Sequence, residues 1–376
     1  MALSRLSKAL SFLRPSMNSK IRAAEQDFRK ACALLELNER IVSGQAGDAG
    51  SASLPALYSS LQSKWASELL PKLIPFANDS MTIQLSEMFQ HLHDVDAGDL
   101  LPHANAFPPQ SGEHMQESKK QCRKENFDVI RSGADRRRLS LSPSINPSSS
   151  SHDSTDDDAA QRLRMQLQAR LGFALWLGPS QSAHNSFETG VYVRGHCAPG
   201  AVVGLFPGAV YNAEMLQRAI DCGHLANESV PRTFVPRFDE CVIDSFGASP
   251  AHFPSQRSNA FALAHYARNP PAGVIPNVMR IQMDFLDVGG SDRDSGAMPF
   301  PPHLRDYVPN FWGANIGSGQ ALYSSLEQQI FCKGSVLITL RSLADEELFV
   351  DHTLNPFARA AGLVPPWAEH EWAERL

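Results

Sequence analysis

The sequence predicts an α+β protein in which an α-helical region is followed by a disordered linker and a β-rich domain. Three observations support this fold class. Apolar residues recur at helical spacing up to Val95. Ser, Pro and charged residues dominate 102–160, and from 161 onward short β-branched and aromatic segments alternate with Gly and Pro. The 376 residues, 43% of them hydrophobic, supply one sizeable globular domain and a smaller one.

Residues 1–24 form a basic amphipathic leader. They carry five Lys or Arg and no acid, and Leu3, Leu6, Leu10 and Leu13 follow helical spacing. This composition is typical of a mitochondrial transit peptide, whereas a secretory signal needs an unbroken apolar core. A basic helix packed on the protein itself or on a membrane surface explains the same pattern. An intracellular location is expected, and the mitochondrial and the nuclear or cytoplasmic alternatives both stay open.

The region 25–101 reads as helical. The apolar spacing predicts a helix over Ser19–Val42 and further helices over Leu54–Leu70 and Met81–Val95, separated by Pro71 and Pro75. The composition then changes, and too little of 102–160 is apolar to offset the entropy of ordering it. We therefore predict a disordered linker there.

Strand-like segments dominate 161–356, and 357–376 forms a C-terminal tail. The predicted strands are GVYVRG, AVVGLFPG, CVIDSF, VMRIQMDFLDV, SVLITL and ELFV. Three helices are predicted among them, at Gln161–Leu171, Tyr211–Cys222 and Phe261–Ala267. The segment Asp292–Ile316, rich in proline and aromatic residues, reads as an irregular loop.

Charge and cysteine content exclude several functional classes. A net charge of −6 gives no overall attraction to nucleic acid, so direct nucleic-acid binding is not expected. The six cysteines form no CxxC pair, which indicates neither a zinc knuckle nor a disulfide framework and fits a reducing compartment. No apolar run reaches the length of a transmembrane helix. Oligomeric state leaves no signal in the sequence.

Three short segments of the C-terminal half follow one another in a characteristic order. They are FETGVYVRG at 187–195, HYARNPPAGVIPN at 265–277 and ELFVDH at 347–352. In this order they resemble the GxG, RFxNHxxxPN and ELxxDY motifs of the SET-domain family of protein-lysine methyltransferases, and of a divergent branch in particular. Glu188 stands at the first glycine, Arg268 and Asn269 stand at the Asn-His pair, and His352 stands at the last tyrosine.

The resemblance implies a β-rich SET fold of small twisted sheets in which the last two motifs pass through one another. Phe261–Asn277 is then expected beside Glu347–His352. The implied cofactor is S-adenosyl-L-methionine (SAM), and the implied partner is a protein lysine substrate, histone or non-histone. Tyr266 and His352 would be catalytic, and no metal ligand is carried over. The implied cofactor-binding residues are Gly190, Tyr192, Tyr266, Arg268, Asn269 and Asn277.

The altered motif residues bear directly on catalysis. Methyl transfer needs in-line positioning, exclusion of water and a neutral lysine amine. Arg268 carries only donors, so it can bind a carboxylate but cannot accept from an ammonium group. His352 is shorter than tyrosine and changes charge near neutral pH. Two alternatives therefore stand beside the methyltransferase, namely a catalytically silent SET fold kept as a binding module and an unrelated β-rich interaction protein.

Overall fold

The protein is described from a computed structural model, which covers residues 17–45, 54–100, 154–182, 188–221, 234–245, 259–271, 273–287, 298–313 and 330–352. Helices and sheets are mixed, which confirms the α+β class. The helices are α1 (Met17–Val42), α2 (Leu54–Trp65), α3 (Leu70–Leu100), α4 (Ser154–Leu171) and α5 (Ala213–Asp221). Short 3-10 helices cover Ala264–Tyr266 and Pro302–Tyr307. No described helix is both long enough and apolar enough to cross a bilayer.

In the described residues, ten strands build three small sheets. The strands are β1 (Phe173–Pro179), β2 (Thr189–Cys197), β3 (Val202–Leu205), β4 (Gly208–Tyr211), β5 (Phe234–Pro236), β6 (Val242–Asp244), β7 (Val278–Leu286), β8 (Asn310–Trp312), β9 (Ile330–Thr339) and β10 (Leu343–Ala344). Their orders are β1-β2-β10, β3-β9-β7 and β5-β6-β4-β8. The strands pair antiparallel except β4 with β8, which are parallel.

The chain divides into two compact units. The larger comprises 1–93 and 162–376, and the smaller comprises 94–161. The helical region up to residue 93 and the β-rich domain, expected as separate regions, thus belong to one unit. One apolar core explains this, because buried residues of α1 such as Phe28 and Leu34 join the same cluster as Phe173 and Phe206.

Helices α1 and α3 also bind the β-rich part through polar contacts. Gln84 of α3 accepts a hydrogen bond from the Val202 amide (2.8 Å) and donates one to the Gly200 carbonyl (3.3 Å). Gly200 has a φ of +76°, and a Cβ there would lie 1.9 Å from the Leu34 carbonyl oxygen of α1. Only glycine accommodates both the left-handed backbone and this close approach.

The helix boundaries partly follow the predictions. α1 is confirmed, and α5 falls within the predicted Tyr211–Cys222. The prediction that Pro71 and Pro75 separate helices is wrong, because α3 begins at Leu70 and contains Pro75. Pro71 lies in the first turn, where amide groups lack intrahelical partners and proline is tolerated, whereas Pro75 lies inside the helix.

Two other segments also differ from the prediction. α4 begins at Ser154, earlier than the predicted Gln161. The expected irregular loop Asp292–Ile316 contains a 3-10 helix and β8. β8 forms by pairing with β4, a distant partner that local composition does not reveal.

Several predicted segments lie outside the described residues. These are the leader up to Ser16, the linker from 101 to 153, and the chain after His352. Residues 17–24 of the predicted leader open α1, where Ala23 and Ala24 are buried. For this part of the leader, a helix packed on its own protein is the structure observed.

Candidate functional site

The second and third motif segments contact each other. At one end of the loop from Arg268 to Val278, the Arg268 carbonyl accepts from the Val350 amide (2.9 Å). At the other end, the amides of Asn277 and Val278 donate to the Phe349 carbonyl at 3.1 and 3.2 Å. Both ends of the loop therefore hold the same short segment, which confirms the predicted proximity of 261–277 and 347–352.

The first motif segment binds the other edge of the ELFVDH segment. In β2, the Val193 amide donates to the Glu346 carbonyl (2.9 Å), and the Leu348 amide donates to the Val191 carbonyl (2.8 Å). ELFVDH thus lies between β2 and the Arg268–Val278 loop. All three sequence-predicted motifs meet at this place, which we call the motif junction.

Asn277 fastens the junction with its side chain. It is 1% exposed, donates from Nδ2 to the Glu347 carbonyl (2.7 Å) and accepts at Oδ1 from the Phe349 amide (2.7 Å). Nδ2 also lies 3.2 Å from Glu346 Oε2. The amide group predicted to contact the cofactor is engaged in contacts within the chain.

Glu347 is a buried carboxylate that the sequence reasoning did not select as a site residue. Its side chain accepts from the Ser180 hydroxyl (2.6 Å) and the Gln181 amide (2.7 Å), and the Tyr192 hydroxyl lies 3.3 Å from Oε2. Within the described residues these donors are all neutral. Its position in the third motif could have pointed to Glu347. That its described partners are neutral can be seen only in the structure.

Two residues predicted to bind the cofactor, Gly190 and Tyr192, lie beside the Glu347 carboxylate. A Cβ on Gly190 would lie 2.1 Å from Glu347 Oε1, so the absence of a side chain there makes room for this carboxylate. The Tyr192 hydroxyl donates to the Pro179 carbonyl. Burial and the neighbouring Glu347 raise the pKa of Tyr192. Gly190 and Tyr192 therefore surround Glu347.

Arg268 and Glu188 lie at the exposed edge of the junction. Arg268 Nε donates to the Thr189 carbonyl (3.1 Å), and its Nη1 lies 3.7 Å from Glu188 Oε2. The side chains are 40% and 47% exposed. This pair combines a donor group and an acceptor group that solvent or a ligand can reach.

His352 is attached to the Arg268–Val278 loop and its approach. Its amide donates to Asn269 Oδ1 (2.9 Å), and its Nε2 lies 2.9 Å from the Ala267 carbonyl oxygen. A carbonyl only accepts, so Nε2 carries the proton and Nδ1 is the acceptor of the neutral ring. Burial lowers the pKa of His352, and nearby Arg280 and Arg268 lower it further.

Tyr266 precedes Ala267 and lies partly buried against the core. Its ring centroid is 4.2 Å from that of His265. Burial lowers the pKa of His265 to about 4. Tyr266 is thus the residue before Ala267, to whose carbonyl His352 binds.

No family model matches the chain. No curated protein matches it either. In the described part of the protein, no three side chains of His, Cys, Asp or Glu are grouped to hold a metal ion.

Proposed function

We propose that the protein is a SAM-dependent protein-lysine methyltransferase of the SET type. The observation that supports it is the motif junction, in which segments in the family's order meet despite long separations in sequence. The antiparallel Tyr192–Glu347 bridge and the parallel Arg268–Phe349 bridge join the three segments. Chance resemblance of each short motif alone would not require them to be neighbours.

The chemistry of the exposed groups fits SAM at one edge of the junction. Arg268 and Glu188 offer opposite charges for the charged end of the cofactor, and Tyr266 offers an aromatic face. Asn277 and Tyr192 support the site from within, because their polar atoms already have partners in the chain. Asn269 fixes the position of the His352 backbone through its Oδ1.

Bound SAM supplies an electrophilic methyl group on a positively charged sulfur. The chain's part is to present the substrate amine in its neutral form. Neutral His352 offers its Nδ1 lone pair as a hydrogen-bond acceptor that orients the neutral lysine amine, while its Nε2–H stays bound to Ala267. The lowered pKa of His352 keeps the ring neutral, and a neutral ring avoids like-charge repulsion with the sulfonium.

The first test is calorimetric titration of the full chain with SAM, followed by transfer of labelled methyl groups to histones and lysine peptides. Binding together with transfer to lysine is the expected result. Absence of SAM binding would overturn the proposal in favour of an unrelated β-rich interaction protein. Imaging fusions with and without 1–24 would decide between mitochondrial and nuclear or cytoplasmic location.

His352→Ala tests the catalytic assignment. We expect turnover to fall about 10²-fold or more, because the amine loses the acceptor that orients it, with nearly unchanged SAM affinity. His352→Tyr should retain more activity. The control is His303→Ala, because His303 is exposed and bonded to Gln90. Full activity of His352→Ala would exclude this residue from the reaction.

A catalytically silent SET-fold binding module is the second candidate. It is favoured by the internal hydrogen bonds of Tyr192, Asn269 and Asn277, which turn predicted cofactor contacts inward. SAM binding without transfer to any lysine substrate would support it. The same two measurements therefore separate both candidates.

A further inference from the structure

Two positions at which the chain departs from the SET motifs lie beside each other. Glu188 stands in place of the first glycine of GxG, and Arg268 stands in place of the asparagine of the second motif. Although they are distant in sequence, their charged groups are 3.7 Å apart. The charge introduced at one position is thus balanced by the opposite charge introduced at the other.

The backbone holds Arg268 in this position. Its carbonyl accepts from Val350, and its Nε donates to the Thr189 carbonyl, the residue that follows Glu188. The guanidinium is therefore fixed beside the start of β2. The 3.7 Å between Arg268 Nη1 and Glu188 Oε2 is longer than the roughly 2.7–2.9 Å of a well-formed charged hydrogen bond. With side chains 40% and 47% exposed, each group has access to a second partner.

We infer that Arg268 and Glu188 together bind the amino-acid end of an S-adenosyl ligand, Arg268 taking its α-carboxylate and Glu188 its α-ammonium. The inference rests on the proposed function and names the part of that cofactor which this pair recognises. A guanidinium provides only donors and a carboxylate only acceptors, so the two roles cannot be exchanged. In an α-amino acid, nitrogen and carboxylate carbon are about 2.5 Å apart, which suits two adjacent opposite charges.

The pair explains how an arginine can stand at an asparagine position. An asparagine side chain both donates and accepts, whereas arginine only donates. Glu188 supplies the missing acceptor. Neither substitution alone would complete the recognition of a zwitterion.

The experiment compares two ligands on the full chain by calorimetry. SAM carries the amino-acid end, and 5′-methylthioadenosine has the same thionucleoside without it. For Arg268→Gln and for Glu188→Gln we expect the Kd of SAM to rise about tenfold, the loss of one hydrogen bond to a charged group. The Kd of 5′-methylthioadenosine should stay within about twofold of wild type. The matched control is Arg218→Gln with Glu214→Gln, an exposed Arg–Glu pair on α5.

The outcomes separate this inference from the proposed function. Equal weakening of both ligands, or unchanged SAM affinity in both variants, would overturn the zwitterion site while leaving wild-type SAM binding intact. Failure of the wild type to bind SAM would overturn the methyltransferase proposal and this inference with it. Selective loss for SAM supports the inference, since general disruption of the junction would weaken both ligands.

Discussion

Two buried charged groups of this protein have different kinds of partner. Arg237 is 2% exposed and binds Asp239 (Nη2–Oδ2 3.0 Å) and Asp284 (Nη2–Oδ1 2.6 Å). It also donates to the carbonyls of Met283 (2.9 Å) and Gly334. Glu347 is 1% exposed, yet its described donors are a serine hydroxyl and a backbone amide, and the Tyr192 hydroxyl lies 3.3 Å from its Oε2.

The ion pairs of Arg237 stabilise the fold, whereas the hydrogen bonds of Glu347 position the motif junction. Asp239 also binds Lys333 (3.0 Å), and although burial opposes ionisation, Arg237 and Lys333 hold the pKa of Asp239 well below its usual range. This cluster joins β7 and β9 to the turn after β5. Glu347 instead joins the turn after β1 to the motif junction, and among the described residues its hydrogen-bond partners are neutral.

Removal of the Arg237 guanidinium should have the largest effect. Arg237→Met leaves Asp239 with Lys333 as its cationic partner, and it removes the described cationic partner of the partly buried Asp284 and the donor to two carbonyls, so we expect a loss of about 3–5 kcal/mol in the free energy of unfolding. Urea denaturation measures it. The control is Arg218→Met, whose i,i+4 pair with Glu214 is exposed and should cost about 0.5 kcal/mol or less. Equal effects of the two would show that the buried cluster contributes no special stability.

Gly190→Ala tests the Glu347 cluster. The new Cβ would lie 2.1 Å from Oε1 and 2.8 Å from Cδ of Glu347, so the buried carboxylate must move from its donors. We expect about 1–3 kcal/mol of destabilisation, as for other overpacked sites.

The cross-strand partner Gly178 provides the matched control for Gly190. A Cβ on Gly178 would lie 3.2 Å from the edge of the Tyr192 ring, which must give way by only a few tenths of an ångström. Thermal and urea unfolding of the two alanine variants measure the difference. An equal loss at Gly178 would mean that the Glu347 carboxylate is no more constrained than the ring.

The sequence predicted the strands and the motif junction better than it predicted the buried charge. Alternating β-branched segments identify β2, β7 and β9, and the order of the motifs identifies their contact. The Arg237 cluster left no signal, because Arg237, Asp284 and Gly334 come from separate segments with no characteristic spacing. The Glu188–Arg268 contact could not be predicted from the sequence either, although each residue departs from its motif.

His265 should make stability fall at acidic pH. Burial lowers its pKa to about 4 from the ordinary 6.5, so folding favours the neutral ring. The contribution is complete above pH 6.5 and is lost as the pH falls toward 4. After allowance for partial exposure, we expect a loss of about 1–2 kcal/mol that His265→Gln removes.

Unfolding free energies between pH 7 and 4 measure this effect. His352, whose pKa is also lowered, contributes in the same direction, so the double variant His265→Gln with His352→Gln should show the flattest profile. His303→Gln is the control at an exposed histidine. An unchanged slope in His265→Gln would show that its ring is protonated in the folded protein at mild acid pH.

The smallest effect is expected at Glu346, the neighbour of Glu347 in sequence. Its side chain is 29% exposed and forms an ion pair with Arg341 (Nη2–Oε2 2.5 Å). Asn277 Nδ2 also donates a hydrogen bond to Glu346 Oε2. Although burial opposes it, the Arg341 contact lowers the pKa of Glu346, so its contribution is lost as the pH falls below the ordinary value of 4.5. Because solvent screens this pair, Glu346→Gln should cost about 1 kcal/mol or less at neutral pH.

Glu347→Gln removes the same charge one residue further along the chain, from a place that solvent does not reach. Its hydrogen bonds from Ser180 and Gln181 lose their charged acceptor, so about 1.5–3 kcal/mol is expected in urea denaturation. If instead Glu346→Gln destabilised the protein as much as Glu347→Gln, burial would not be what distinguishes these carboxylates. The ion pair with Arg341 would then hold the motif junction, and Glu347 would serve only to fill the space left by Gly190.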